Sequence, residues 1–187
     1  KHTEALGMES IAITDHGSMY GVVEFYKEAI KNGIKPVLGC EVYVASRTRF
    51  DKQTGLDSDS AHLVLLAMNN KGYVNLMKLV SIGFTEGFYY KPRVDMEVLE
   101  KYAEGIIALS ACLSGEIPKA ILQNNYKKAK EIALSYNKIF GQGNFYLEMQ
   151  NNGVEEQNFV NQNLIQLSKE TGIPLVATND AHYLRRE

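Results

Sequence analysis

The sequence has few cysteines and no long apolar run, and both shortages narrow the classes of protein that fit it. Its two cysteines, Cys40 and Cys112, lie far apart and do not form a Cys-x-x-Cys pair. This argues against a secreted disulfide scaffold and a redox role, and it predicts a cytoplasmic location. No apolar stretch reaches the ~18 residues of a membrane-spanning helix. The start at Lys1 has neither an initiator methionine nor the apolar core of a signal peptide, so we expect a soluble protein without a membrane partner.

An excess of positive charge is also absent. The 187 residues contain 20 Lys and Arg against 22 Asp and Glu, which gives a formal net charge of −2 at pH 7. Because phosphate neutralisation supplies most non-specific affinity for nucleic acid, we expect the chain to bind DNA weakly and to need another element to deliver it. The length favours a single domain over residues 1–187 with one sizeable core.

The sequence does contain short β-rich runs that alternate with longer segments of helical period. This pattern is typical of a βα-repeating protein with parallel strands, and it predicts an α/β fold. Apolar residues at helical spacing mark helices within 22–30, 74–80, 129–139 and 160–167. The predicted strands are Ser10–Thr14, Lys35–Ala45, His62–Met68, Gly105–Ser110, Asn144–Met149 and Pro174–Thr178.

Three segments do not fit a minimal βα repeat. Residues 46–60 are polar and charged, so we expect an exposed and mobile excursion between two strands. Residues 87–99 mix aromatic side chains with Lys91 and Arg93 in a predicted loop. Residues 1–7 resemble the last turns of a helix, and a helix that opens a βα protein normally follows a strand. We therefore expect an earlier strand to be missing from this chain.

Metal-ligating side chains follow several of the predicted strands. Parallel βα proteins place their functional residues at the carboxyl ends of strands. His62 instead leads an apolar strand, where an imidazole needs a polar partner. Asp180 and His182 are two residues apart, so an extended backbone would turn both to the same side. The candidates are Asp15, His16, Glu41, His62, Cys112, Asp180 and His182.

Each candidate alone has an ordinary structural alternative. Asp15 could cap a helix, Glu41 could be solvated at a strand bulge, and Cys112 could be a small buried hydrophobe. Taken together, imidazole, carboxylate and thiolate groups at several strand ends favour a site that holds more than one metal ion.

These residues resemble the motifs of the PHP (polymerase and histidinol phosphatase) domain. Residues 13–17 (Ile-Thr-Asp-His-Gly) are similar to its second motif, His62 to its third, and residues 179–183 (Asn-Asp-Ala-His-Tyr) to its fourth. Three longer strings closely resemble the amino-terminal region of DnaE-type alpha subunits of bacterial DNA polymerase III, and the resemblance extends over essentially the whole chain. The strings are residues 33–45, 87–95 and 109–116.

The resemblance implies a distorted (βα)7 barrel, similar to a TIM barrel, with two to three divalent metal ions, zinc or manganese, at the carboxyl ends of the strands. The ligands that it implies are His16, Glu41, His62, Cys112, Asp180 and His182. The first motif of the family, a His-x-His on the first strand, is absent from this chain. We therefore expect the chain alone to bind metal poorly and to be catalytically silent, and a version with the first strand to be active or at least metal-loaded.

The function that the resemblance implies is that of a metal-dependent phosphoesterase, a 3′–5′ proofreading exonuclease within a polymerase alpha subunit. Asp15 would orient His16 for catalysis. Lys91 and Arg93 would hold DNA phosphate, unless they only solubilise an aromatic loop. The implied partners are DNA, the polymerase core of the same polypeptide and other replisome subunits. Two alternatives stay open: a non-catalytic scaffold stabilised by its metal ions, and a free-standing small-molecule phosphatase of the histidinol-phosphate type.

Overall fold

The computed structural model describes residues 1–183, which fall into two compact units, one over residues 1–108 and the other over residues 109–183. Helices and strands alternate along both units. The helices are α1 (His2–Ala5), α2 (Val22–Lys31), α3 (Asn70–Thr85), α4 (Met96–Lys101), α5 (Glu116–Leu122), α6 (Tyr126–Phe140) and α7 (Glu155–Thr171). The strands are β1 (Ser10–Ile13), β2 (Lys35–Ala45), β3 (Ser60–Ala67), β4 (Arg93–Val94), β5 (Ile106–Leu109), β6 (Phe145–Gln150) and β7 (Leu175–Thr178). The α/β class is confirmed, and each predicted strand is present within two residues of its predicted ends.

Within residues 1–183, α3 and α7 are the longest helices, with 16 and 17 residues. None of the described helices combines the length and the apolar character that crossing a membrane requires.

In the first unit, β1 and β2 are parallel and α2 connects them. The helix packs on β2, and α3 packs on β3 and β4. Alternate residues of β2 supply the core on one face of the strand, where Cys40, Val42 and Val44 are at most 2% exposed. Leu63 and Leu65 of β3 and Leu76 and Leu79 of α3 are also fully buried.

The strands β2 and β3 are antiparallel, which corrects the expectation that all strands are parallel. Residues 46–59 connect them without a helix. A parallel pair needs a crossover, usually helical, whereas antiparallel neighbours are joined by a simple loop. The start of β3 therefore lies at the carboxyl end of β2.

The polar excursion at residues 46–60 has two buried anchors within an otherwise exposed segment. Arg49 is 7% exposed, and its side chain donates hydrogen bonds to Asp95, Glu86 and Glu97. Asp57 is 1% exposed and accepts hydrogen bonds from Arg47 and from the N–H of Gln53. Most residues of the segment are exposed, as its polar composition predicts, and its mobility stays a prediction.

The segment 87–99 contains secondary structure that the sequence reasoning missed. The strand β4 pairs in parallel with β2, placing Arg93 opposite Tyr43. The helix α4 begins after Asp95, whose carboxylate accepts a hydrogen bond from the N–H of Val98 as an N-cap.

In the second unit, β6 and β7 are parallel and α7 connects them. Val160, Leu164 and Leu167 of α7 are buried at helical spacing, as the sequence predicts. The short helix α5 packs against the longer helix α6. The helix α5 was not predicted; Pro118 lies in its first turn, where the missing N–H costs nothing.

Candidate metal centre

His16 and Glu41 are brought together by the register of β1 and β2. Each residue of β1 pairs with the residue 25 positions later in β2, from Ser10 with Lys35 to Ile13 with Leu38. His16 and Glu41 are also 25 positions apart, and they continue this parallel pairing beyond the end of β1. The N–H of Glu41 donates to the carbonyl of Asp15 (3.1 Å), and the N–H of Gly17 donates to the carbonyl of Glu41 (2.8 Å). The loop after β1 is therefore fixed to β2 as far as Gly17.

The strand β3 brings His62 to the same carboxylate. Tyr43 pairs with His62 and Glu41 pairs with Val64, so the side chains of Glu41, Tyr43 and His62 point to the same face. Nδ1 of His62 lies 2.6 Å from Oε1 of Glu41, and Nδ1 of His16 lies 2.8 Å from the same oxygen. The candidate ligand atoms of His16, Glu41 and His62 all lie within 4.8 Å of one another. We call these three residues the His-Glu cluster.

Within residues 1–183, no hydrogen bond reaches the oxygen that the cluster shares. The Glu41 side chain is 6% exposed, and neither imidazole approaches its Oε1 with hydrogen-bond geometry. A buried polar atom without a partner is costly, by about 1–3 kcal/mol and more when it is charged. Zinc takes imidazole nitrogen and carboxylate oxygen ligands at about 2.0–2.2 Å, so two ligand atoms of one ion lie at most about 4.4 Å apart. The cluster therefore fits a divalent metal ion after small side-chain adjustments.

Tyr43 contacts both histidines, and sequence reasoning missed it. Its ring lies edge-on to His62 with 5.2 Å between centroids, and the His16 centroid is 6.3 Å away. The signal for Tyr43 is its position two residues after Glu41 on a strand, which places both on one face. Lys91 is exposed, and its Nζ lies 5.3 Å from the centre of the Tyr43 ring. An ammonium group therefore stands beside the cluster, and its contact with phosphate stays a prediction.

Gly17 allows the loop after β1 to lie close against this site. Its φ is +64°, and a Cβ at this position would come within 2.9 Å of both Cγ of Pro92 and Cε2 of Tyr43. Both the left-handed conformation and the close approach favour glycine.

Asp15 contributes a backbone carbonyl to the site. The carbonyl accepts hydrogen bonds from the Cys40 thiol (3.3 Å) and from the N–H of Glu41. Asp15 as a whole residue is exposed to solvent. Burial, together with the negative charges of Asp15 and Glu41, raises the pKa of the Cys40 thiol to about 12. Cys40 is therefore a protonated donor that holds Asp15 in place. That Asp15 also orients His16 stays a prediction.

The structure corrects the expectation that Arg93 holds DNA phosphate. Arg93 is 1% exposed, and its guanidinium donates to the backbone carbonyls of four residues. A guanidinium that is buried and used in this way cannot reach a phosphate in solvent, and its role is to tie the excursion to β4. The four residues are Arg49, Asp51, Asp57 and Gly87.

The other three predicted ligands belong to the second unit. Asp180 has φ +46°, and the ring Nδ1 of His182 lies 3.0 Å from the Asp180 carbonyl oxygen and 3.8 Å from its carboxylate. The two residues meet through a left-handed turn, not through the extended backbone that was expected. Ala111, directly before Cys112, also has a positive φ, +63°. Such conformations cost about 1–3 kcal/mol for non-glycine residues and often occur at functional sites. Convergence of all six ligands on one site stays a prediction.

Cys112 lines a small pocket of the second unit together with the buried residues Glu148, Gln150 and Gln157. Oε1 of Glu148 accepts hydrogen bonds from the Gln150 side chain (3.1 Å) and from the Thr178 hydroxyl (2.5 Å). Sequence reasoning did not identify Glu148. Its signal is an acidic residue inside an otherwise buried strand, which requires hydrogen-bond partners.

Residues 1–152 match the family model described as "PHP domain". Among curated proteins, the chain is 51% identical over 181 residues to the DNA polymerase III subunit alpha of Borreliella burgdorferi, covering 96% of the chain and 16% of that protein. It is 48% identical over 180 residues to the same subunit of Thermus aquaticus, covering 95% and 15%. The chain thus spans about one sixth of the length of these relatives. The matches confirm the resemblance on which the sequence interpretation rests.

Two solved structures share the fold at low sequence identity. An amidohydrolase from Chromobacterium violaceum with bound sulfate aligns with a TM-score of 0.57 at 12% identity, covering 97% of the chain and 80% of that protein. A protein from Bifidobacterium adolescentis assigned as a metal-dependent phosphoesterase gives the same TM-score, identity and coverage. At this identity the likeness establishes the fold alone.

Proposed function

This chain belongs to the PHP domain family, and we propose that it is a metal-dependent phosphoesterase domain of a bacterial DNA polymerase III alpha subunit, with 3′–5′ exonuclease activity on DNA. The polymerase assignment is supported by relatives that are 51% and 48% identical over almost the whole chain. The activity is supported by the site. Cytoplasmic location and partnership with DNA, the polymerase core and other replisome subunits belong to the same proposal.

The observation that carries the activity is the buried Oε1 of Glu41 between two imidazole nitrogens. His16, Glu41 and His62 would hold the first metal ion, and Cys112, Asp180 and His182 are the further ligands for a second or third ion, zinc or manganese. When bound, such ions lower the pKa of a coordinated water toward neutrality and stabilise negative charge on phosphate oxygens.

The chain's own residues give this site its shape and its charge. The β1–β2 bridge and the β2–β3 register fix His16, Glu41 and His62 on one face, so the ligand set is already assembled before substrate binds. Tyr43 packs against both imidazoles and restricts their rotation. The exposed ammonium of Lys91, beside Tyr43, attracts the phosphate of a DNA strand and orients its scissile end.

Two alternatives to this function are kept because the ligand set is compatible with both. A non-catalytic scaffold would bind the same metal ions for stability alone and would not turn over substrate. A free-standing phosphatase of small molecules would act on a phosphomonoester instead of a DNA strand. The strong matches to polymerase subunits over at least 95% of the chain favour the exonuclease and the scaffold over the free-standing phosphatase.

The test combines metal content with nuclease activity in the full-length polypeptide that carries this chain. Wild-type protein and the His16→Ala and His62→Ala variants are compared by elemental analysis and by release of nucleotides from a 3′-labelled primer. His2→Ala is the matched control, because His2 is exposed on α1 and outside the cluster. We expect both cluster variants to lose metal and at least about 100-fold of the exonuclease rate, given that metal activation of water contributes several kcal/mol.

The three functions give different results in this experiment. Metal loss without any exonuclease activity in the wild type would identify a scaffold. Hydrolysis of a small phosphomonoester but not of the primer would identify the small-molecule phosphatase. Full metal content and full activity in both cluster variants would refute the proposed centre itself.

A further inference from the structure

Three exposed aromatic rings contact one another in the first unit. Tyr20 follows β1, Phe84 lies in the last turn of α3, and Phe88 follows that helix; they are 84%, 39% and 50% exposed. The centroids of Tyr20 and Phe84 are 6.5 Å apart, and those of Phe84 and Phe88 are 6.2 Å apart with planes only 27° from parallel. Single exposed apolar side chains are ordinary, whereas a contiguous group marks an interaction site. We call these three residues the aromatic platform.

Backbone packing places the platform next to the His-Glu cluster. Gly17 directly follows His16, and Gly83 directly precedes Phe84. Pro92 packs against both glycines: its Cγ lies 2.9 Å from the Cβ position of Gly17, and its backbone lies 3.2 Å from the Cβ position of Gly83. One proline therefore separates the loop that carries a candidate metal ligand from the helix end that carries the platform.

The backbone on both sides of Phe88 is fixed by hydrogen bonds. The N–H of Gly87 donates to the Ile82 carbonyl (3.2 Å), and the N–H of Tyr89 donates to the Lys91 carbonyl (3.0 Å). A ring on a fixed backbone loses little conformational freedom when a ligand binds to it. The platform is therefore preorganised for a flat partner.

Nucleobases are the flat partner that the surroundings favour. Aromatic side chains next to a cation bind single-stranded nucleic acid, since every base can stack on a ring and every linkage carries a phosphate. Lys91 supplies the cation on the side of the cluster, above Tyr43. A standard protein interface takes ~800 Å² from each partner. A whole aromatic side chain has roughly 150–250 Å² of surface. Three partly exposed rings therefore offer less area than a standard protein interface takes, but enough for two or three bases.

We propose that Tyr20, Phe84 and Phe88 stack the unpaired bases at the 3′ end of a DNA strand and that Lys91 contacts a backbone phosphate there. The proposal rests on the exonuclease function proposed above and specifies its substrate, a frayed or single-stranded 3′ end instead of a paired duplex end. It follows that a mismatched primer end, which frays more easily, is bound in preference to a matched one.

The test is photo-crosslinking of the full-length polypeptide to a short single strand that carries 5-iododeoxyuridine at its 3′-terminal positions. EDTA is present, so no cleavage occurs and the readout is independent of activity. We expect the crosslinked peptides to contain Tyr20, Phe84 or Phe88. An unlabelled competitor with natural bases should compete at least about 5-fold better than one with abasic sites at its last three positions, because each stacked base contributes about that factor or more.

Leucine variants distinguish stacking from simple apolar contact. The triple variant Tyr20→Leu, Phe84→Leu, Phe88→Leu keeps an apolar surface without rings, and we expect it to lose the crosslinks and the preference for natural bases. The ring-retaining triple variant Tyr20→Phe, Phe84→Tyr, Phe88→Tyr should restore both. Phe159→Leu, at a ring that is 47% exposed on α7, is the matched control and should leave both unchanged. Thermal melting checks that each variant is folded.

The results separate failure of this proposal from failure of the proposed function. Crosslinks at the platform in a protein without exonuclease activity would uphold the DNA site and refute the catalytic function. Exonuclease activity with crosslinks elsewhere, or with equal competition by the abasic strand, would overturn the platform and leave the catalytic function standing. Unchanged crosslinking in the leucine variant would also overturn it, because rings that can be removed without effect do not stack the bases.

Discussion

The buried carboxylate oxygen of Glu41 makes this single side chain the most informative position for metal binding. An ion that binds only the folded state adds stability of RT ln(1 + [L]/Kd), about 2.7 kcal/mol at 100 times Kd. We therefore expect EDTA to lower the free energy of unfolding of the full-length polypeptide by about that amount, and to have little effect on its Glu41→Gln variant. Urea unfolding with and without chelator measures this. Glu24→Gln, at an exposed residue of α2, should respond to EDTA like the wild type. An equal chelator response in Glu41→Gln would show that the carboxylate is not a ligand.

Lys91 and Arg93 are two residues apart, yet their environments predict opposite mutational effects. Arg93 is buried with four backbone carbonyls as acceptors, so Arg93→Lys should lower the free energy of unfolding by about 3 kcal/mol or more, because buried carbonyls lose their donors. Lys91→Met, at an exposed side chain, should change it by less than about 0.5 kcal/mol. Urea unfolding of the two variants decides the matter, and a stable Arg93→Lys protein would contradict the structural role assigned to Arg93.

Residue identity and the position beside or within apolar strands were enough to name His16, Glu41 and His62 as candidates, because imidazole and carboxylate groups have few other uses there. They were not enough for Tyr43, whose ring is equally at home in a core, or for Glu148, whose hydrogen-bond partner Thr178 comes 30 positions later in the chain. The burial of Arg93 also escaped prediction. It depends on carbonyl groups from residues up to 44 positions away in the chain, which no local pattern reveals.

Among the elements, the strands were predictable because apolar β-rich runs bounded by turn residues identify them locally. Strand direction was not, since it depends on what connects two strands. The expectation of parallel strands was wrong for β2 and β3 because the excursion that connects them contains no helix. The strand β4 has two residues and α4 has six, both too short to show a period. The signal for α4 was Asp95 followed by Glu97, an N-cap with an acidic first turn.

The excursion at residues 46–60 should respond to acid through Asp57. The hydrogen bond from Arg47 is the largest cause that lowers the pKa of Asp57, from 3.8 to about 2. A lowered folded-state pKa means that the charged form stabilises the fold above pH ~4 and that this contribution is lost as the pH falls through about 2. We therefore expect the urea midpoint of Asp57→Asn to lie below that of the wild type at pH 6, and the difference to shrink between pH 4 and pH 2. Glu9→Gln, at an exposed residue, is the control. A difference that stays constant across this range would show that the ionised form of Asp57 is not what holds the excursion.

For the molecule as a whole, the net charge of −2 limits how DNA can be held. The logarithm of affinity for single strands falls with the logarithm of salt concentration with a slope of about −0.7 per phosphate neutralised. With Lys91 as the cation of the proposed strand site, we expect the 187-residue chain to bind a fluorescent single-stranded oligonucleotide weakly, with a slope near −0.7 that Lys91→Met brings close to zero. The affinity that remains is expected to come from base stacking, which salt screens little.

Lys71→Met is the matched control, because the Lys71 amine is exposed and lies 3.4 Å from Glu104, away from the cluster contacts. Titrations between about 50 and 200 mM salt give the slopes. Tight binding with a slope steeper than about −3 would mean that several further cations contact the strand, and the chain would then not depend on another element to deliver its DNA.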